Sequence, residues 1–202
     1  MDEHNDEPQL LERSRQGDLA AFNALVEKYQ QSVYNLCLRM LSSPQAAEDA
    51  TQEAFVAAFK AIRSFHGDTF RAWLFRIASN ACYDEMRRKR SRPAASLDEP
   101  HGDQGHTIDV PASGQSPEER AEQQELGELI QRALSQLHPD QRIVLVLCDV
   151  QGFDYAEIAQ VLNVSLGTVK SRIFRGRMQM RALLLDQGGE LLPARLRQVS
   201  EG

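Results

Sequence analysis

From Phe22 to Met40 the large apolar residues fall three or four positions apart: Phe22, Leu25, Val26, Tyr29, Val33, Leu36, Cys37 and Met40. That spacing lines one side of a long α-helix, and such a flank has to be covered by other elements. Asp18 is placed to cap the helix start. No segment of the chain alternates apolar and polar residues with the period of two that a half-buried strand requires, so the covering elements are helices and the fold class is all-α. Ser43-Pro44 opens a second helix, because the missing N–H of proline costs nothing in a first turn. This helix would turn Ala47, Ala50, Phe55, Ala58, Phe59 and Ile62 inward. Gly67 interrupts the pattern and Thr69 is a candidate cap for a third helix, with Phe70, Trp73, Leu74, Ile77, Ala78 and Ala81 as its buried stripe. Residues 1–92 therefore read as one small helical domain.

Between 93 and 120 the character changes. Pro93, Pro100, Pro111 and Pro117 stand among Gly, Ser, Asp and His with few large apolar residues. Such a stretch buries too little surface to offset its ordering entropy, so it is expected to be a flexible acidic linker. Roughly 25 residues reach on the order of 80 Å when extended, enough to set two domains on separate sites of a large partner. A second helical domain follows over 121–185. Leu126, Leu129, Ile130, Ala133, Leu134 and Leu137 mark one helix, Pro139 starts another through Val144, Leu145 and Leu147, and Gly152 ends it. Two further helices surround Asn163-Val164-Ser165, and residues 186–202 form a short tail without a readable signal.

Charge separates along this plan. The formal net charge of the 202 residues is −6, which alone argues against a nucleic-acid partner. Yet Arg71, Arg76, Arg87, Arg88, Lys89, Arg90 and Arg92 crowd one stretch, and Lys170, Arg172, Arg175, Arg177 and Arg181 crowd another that holds no acid. Local field, not net charge, attracts phosphate, so two basic islands in an acidic chain suit a selective nucleic-acid binder. No apolar run reaches membrane-spanning length and the acidic N-terminus lacks a secretory pattern, so a cytoplasmic protein without membrane insertion is expected. Cys37, Cys82 and Cys148 are too scattered for a zinc site and read as small, mostly buried side chains. No metal and no cofactor is expected.

The segment from Tyr155 to Ile173 has the anatomy of a helix-turn-helix. Ile158, Leu162, Val164, Val169 and Ile173 supply its core, Asn163 tolerates the positive φ of the turn, and Ser165 can cap the second helix. At a hundred degrees per residue, Leu166, Val169, Ile173 and Met180 fall on one side of that helix. Ser171, Phe174 and Arg175 lie opposite, with Thr168 beside them and Lys170 and Arg177 on the flanks. Hydroxyl and guanidinium groups can read base edges, cations can hold phosphates, and Phe174 can meet a thymine methyl.

Three motifs in order give the chain a specific resemblance. Asp49-Ala50-Thr51-Gln52-Glu53-Ala54-Phe55 resembles the D-x-x-Q-E-x-F signature of bacterial sigma factors, in the segment that docks on the polymerase clamp helices. Phe70-Arg71-Ala72-Trp73-Leu74-Phe75-Arg76-Ile77-Ala78-Ser79-Asn80 is similar to their F-x-x-W-L-x-R-I-A-x-N segment, which works on the minus-ten element. Gly167 to Arg175 resembles their G-T-V-x-S-R-I-x-R recognition helix for the minus-thirty-five element. The chain is thereby identified as similar to the compact extracytoplasmic-function (ECF) group, with a region 2-like bundle, a linker and a region 4-like domain.

The resemblance implies a non-catalytic promoter-specificity subunit of core RNA polymerase. Asp49, Gln52 and Glu53 would dock on the polymerase. Phe65, His66, Arg71, Arg76, Asn80, Arg87, Arg88 and Arg90 would capture and hold the opened minus-ten strand, with Phe65 as a stacking wall. Thr168, Lys170, Ser171, Arg172, Phe174, Arg175 and Arg177 would engage the duplex minus-thirty-five element. An anti-sigma protein is the expected inhibitor. By the same resemblance the linker would thread the RNA path of the polymerase, where Asp98, Glu99, Asp103 and Asp109 could imitate nucleic acid. The loop from Phe65 to Phe70 is one residue shorter than is common in the group, and His66 stands where arginine is frequent. Two rival readings explain less. A stand-alone helix-turn-helix regulator leaves the first two motifs without a purpose. A nucleic-acid enzyme finds no catalytic constellation among His4, His66, His101, His106 and His138.

Overall fold

The computed structural model describes residues 7–67, 69–91 and 116–188, all of it helices and short connections. The expected acidic linker up to residue 115, Arg92 and the tail beyond 188 lie outside the described residues. Helices α1 (Glu7–Arg15), α2 (Leu19–Leu41), α3 (Pro44–Ala61) and α4 (Phe70–Ser91) make the first bundle. Helices α5 (Pro117–Gln136), α6 (Pro139–Leu145), α7 (Tyr155–Leu162) and α8 (Leu166–Gly188) make the second. Helix α5 thus begins inside the stretch whose composition suggests linker.

Local chemistry sets the boundaries. Asp18 accepts from the N–H groups of Ala20 and Ala21 at 2.9 and 3.2 Å and so starts α2. Arg13 grips its other oxygen at 2.7 Å and lowers its carboxyl pKa. Ser42 leaves α2 in the left-handed region at φ 57°, and Ser43 then caps α3 by accepting from Ala46 N–H at 3.3 Å. Helix α1, which the periodicity does not mark out, is pinned to α2 by Glu7, whose carboxylate accepts from the Tyr29 hydroxyl at 2.7 Å.

The core of the first bundle is built on the α2 stripe: every position from Phe22 to Met40 named in that pattern is buried except Val26, which is half-buried. Helix α3 meets it with alanines only, Ala47, Ala50, Ala54 and Ala58, so the helices approach closely. Phe55 is half-buried, and Phe59 is exposed with its ring edge-on to Phe22 at 5.0 Å. Phe55 packs against the core as expected, and the inward placement of Phe59 is corrected. On α4, Phe70, Leu74 and Ala78 are buried as the spacing predicts, while Trp73, Ile77 and Ala81 are half-buried. Ala72, Phe75, Ser79 and Cys82 are buried as well, on a flank no spacing rule singles out. Cys82 meets Cys37 of α2 at 3.6 Å.

Phe75 is covered by the second bundle, which packs against the first in one continuous core. The Phe75 ring lies 5.0 Å from that of Phe153. The run Ile143 to Leu147 is buried throughout because α6 and the π-helical turn Val146–Val150 face α8 on one side and α2 on the other. Arg142, only 7% exposed, donates across the junction to the Met40 carbonyl and within its own bundle to Leu137 O at 3.2 Å. Gln131 ties α5 to the end of α2, donating to Ser42 Oγ at 2.9 Å and accepting from Arg39 at 2.9 Å.

Candidate nucleic-acid and polymerase interfaces

The helix-turn-helix is assembled by the local devices expected of it. Asp154 caps α7 in a reciprocal capping box with Glu157, and Asn163 closes the helix at φ 52°. Ser165 Oγ accepts from Thr168 N–H at 3.1 Å and shares a hydrogen bond with the Thr168 hydroxyl at 2.8 Å, so Thr168 is committed to the cap. Val169 and Ile173 anchor α8 in the core. A Cβ at Gly176 would stand 3.2 Å from Leu145 Cδ1, which is why α8 can cross α6 so closely there.

The outer side of α8 carries Ser171, Phe174 and Arg175, with Phe174 68% exposed. Met178, one turn on from Phe174 and also exposed, extends the apolar part of this face; the sequence reading missed it. Arg175 folds back on its own helix, donating to the Ser171 carbonyl at 3.2 Å, and Lys170 is exposed at the flank. The remaining two arginines are held by acids. Arg172 pairs with Asp140 Oδ2 at 2.5 Å and is half-buried, while Arg177 pairs with Asp149 at 2.6 Å in a solvated bridge that raises its pKa. Neither acid is part of any sequence motif recognised above.

On α4 the helical period sorts the basic residues. Arg76, Asn80, Arg87 and Arg90 fall within an arc of about 80° and are all exposed. Arg71 sits about 140° away from Arg76 around the helix, turned toward the second bundle. Its guanidinium lies 3.9 Å from the Phe153 ring centroid and donates to the Gln151 carbonyl. Arg88, about 120° off the stripe, turns the other way and grips Glu53 of α3 through both nitrogens at 2.9 to 3.1 Å, with Glu85 at 2.9 Å. In this arrangement Arg71 and Arg88 do not join the open basic stripe. Phe65 is a plain correction. It is 4% exposed, packed 4.8 Å from Trp73 and 6.0 Å from Phe70 between ring centroids. Its ring folds over Gly67, where any Cβ would come within 2.8 Å of it, so it closes the core and offers no open stacking wall. His66 next to it is exposed.

Opposite the alanine face of α3, Asp49, Gln52, Glu53 and Val56 are exposed and, with Glu85 and Arg88, line a shallow depression of about 520 Å³. It is a polar, partly anionic surface with one apolar contact point. Among the described residues no group of His, Cys, Asp or Glu is arranged to hold a metal, and no helix is long and apolar enough to cross a membrane.

Residues 25–92 match the Sigma-70 region 2 family and residues 127–180 match Sigma-70, region 4. Over 180 residues the chain is 38% identical to the ECF RNA polymerase sigma factor SigW of Bacillus subtilis, covering 87% of this chain and 95% of that protein. The chain belongs to the ECF sigma factors. It is also 38% identical over 177 residues to the ECF sigma factor SigE of Mycolicibacterium smegmatis, covering 86% of this chain and 66% of that longer protein. Among solved structures it resembles the sigma factor RpoE of Bartonella quintana, crystallised with the anti-sigma factor NepR. That likeness has a TM-score of 0.59 and 25% identity, covering 81% of this chain and 96% of that one. The two matched regions coincide with the two bundles, so the sigma factor carries one region on each. Within it, the groups that sequence motifs missed are those that answer another side chain: Asp140, Asp149 and Phe153.

Proposed function

We propose that this sigma factor divides promoter recognition between two faces. The exposed side of α8 reads the duplex minus-thirty-five element, with Arg175, Ser171 and Phe174 toward base edges and Lys170 toward phosphates. Thr168 serves the helix cap, and Arg172 and Arg177 stand ready on the flanks, each neutralised by its own carboxylate until a phosphate competes for it. The stripe Arg76, Asn80, Arg87 and Arg90, with His66 at its head, holds the opened minus-ten strand. Arg71 stands in the first turn of α4 and joins them once it is uncovered. Asp49, Gln52 and Glu53 dock on a basic surface of core RNA polymerase, and Arg88 steadies Glu53 there. The subunit carries no chemistry of its own. An anti-sigma protein is its inhibitor, a reading supported by the complex in which the related RpoE was solved.

The observation that carries this reading is the outer side of α8: an exposed aromatic, a hydroxyl and cations on a helix whose opposite side is anchored by Val169 and Ile173. The test is reconstituted transcription with core polymerase and a pooled promoter library. Transcripts that start at discrete sites only when the protein is added support it, and their upstream sequences give both elements. Tight duplex binding by the free protein with no new transcripts would instead favour a stand-alone regulator.

A further inference from the structure

Cys37 of α2 and Cys82 of α4 are free thiols, both fully buried, and they are buried against each other. Cys82 donates a hydrogen bond to Cys37 Sγ across 3.6 Å, a contact that leaves no room for an ion between the sulfurs. Where α3 needs small buried side chains it uses alanine at all four positions, so two cysteines meeting across a helix pair add a chemistry that simple filling does not require. The hydrogen bond from Cys82 favours negative charge on Cys37 and holds its thiol below the ordinary range, while that bond and burial push the Cys82 thiol up. The pair therefore has one sulfur suited to attack and a second in contact with it. Cys148 lies in the other bundle, half-buried, where burial and Asp149 raise its thiol.

We infer that Cys37 and Cys82 are a modification site for hydrogen peroxide, at which a reversible disulfide ties α4 to α2. The Cys37 thiolate attacks one peroxide oxygen and the O–O bond breaks. The sulfur becomes a sulfenic acid, and the departing hydroxide takes up the thiol proton as water. The Cys82 sulfur then attacks the Cys37 sulfur, the S–OH bond breaks, and the hydroxide leaves as a second water with the Cys82 proton. One peroxide is reduced to two waters while two thiols are oxidised to one disulfide. The sulfurs close from 3.6 Å to the roughly 2.0 Å of the bond. Peroxide is close to water in size and reaches the pair as the bundle opens locally. Because the second thiol is already in contact, it captures the sulfenic acid before further oxidation. Cys82 lies about 120° around α4 from the centre of the stripe of Arg76, Asn80, Arg87 and Arg90, so the bond braces the helix and leaves that face open.

The test uses the full chain, reduced, freed of reductant and titrated with hydrogen peroxide. Remaining thiols are alkylated in denaturant, and non-reducing proteolysis with mass spectrometry locates the bond. Two of the three thiols should disappear together as a Cys37–Cys82 disulfide, Cys148 should stay alkylated, and dithiothreitol should restore all three. The oxidised monomer should melt on the order of 10 °C above the reduced one, as closing a loop of this length does. Cys148→Ala should keep that shift and Cys82→Ala should lose it; the bond mapped in wild type decides the matter even if Cys82→Ala folds poorly. Oxidised protein, freed of peroxide before polymerase is added, should start transcripts at the same sites as reduced protein. Three intact thiols at peroxide levels that oxidise glutathione overturn the inference. So do dimers joined through Cys148, a Cys37 sulfinic acid without the bond, or a bond that lowers the melting temperature or silences transcription. Failure of the sigma reading looks different: no transcripts from either redox form, whatever the thiol map shows.

Discussion

Four arginines of this chain differ mainly in what answers their charge. Arg175 is answered only by its own helix, Arg172 and Arg177 by carboxylates of the same bundle, and Arg71 by an aromatic face and a carbonyl. A cation without a competing acid is the one most available to a base. Arg175→Ala is therefore expected to weaken binding to the preferred upstream element by about 1–3 kcal/mol and to relax preference at one base pair. Competition binding against single-base variants measures this; a uniform loss would make it a phosphate contact. Lys170→Ala should instead weaken all sequences alike and reduce the salt dependence of holoenzyme binding by about one unit of slope. Asp140→Asn removes the carboxylate that competes for Arg172, and upstream-element binding should tighten by up to about 1 kcal/mol, measured by the same competition binding, while helicity by circular dichroism stays unchanged.

At the scale of single elements, the turn between α7 and α8 and the crossing of α8 over α6 are the sensitive points. Asn163 holds a left-handed conformation, so Asn163→Ala should destabilise the protein by about 1–2 kcal/mol, whereas Asn163→Gly should not; thermal melting of the pair distinguishes them. Features of this kind were legible in the sequence because their causes are local. Asp18, Ser43 and Ser165 sit two or three residues from the N–H groups they satisfy, and Val169 and Ile173 share a side of one helix. Phe65 was misread because the fate of its ring depends on Gly67 and Trp73 closing around it, which no motif or spacing encodes. Phe59 was misread because alanines already fill the contact, leaving its larger side chain to the rim.

Across the whole molecule, what the sequence could not reveal is the junction. Phe75 and Phe153 are 78 positions apart in number, and neither period nor composition connects them across a linker. The same holds for Arg142, whose burial depends on a carbonyl of α2. The polymerase-facing reversal belongs at this scale too. Changing Asp49 and Glu53 together to lysine should abolish assembly with core polymerase, seen as loss of co-elution in gel filtration. Stability should change by no more than about 1 kcal/mol, since the Arg88–Glu53 bridge is solvated. Retained co-elution would move the docking face elsewhere.

Helix α3 has one further consequence. Its buried positions are all alanine, and its outward ones, Asp49, Gln52, Glu53 and Val56, are exposed, Glu53 in a solvated bridge to Arg88. The two sets can be edited independently: inside, any side chain larger than a methyl group forces the helices apart, and outside, charge and shape can be rewritten at will. A chain built this way is a natural starting point for an orthogonal pair, in which a redesigned outer row and a matching polymerase surface recognise each other and ignore the parental partners.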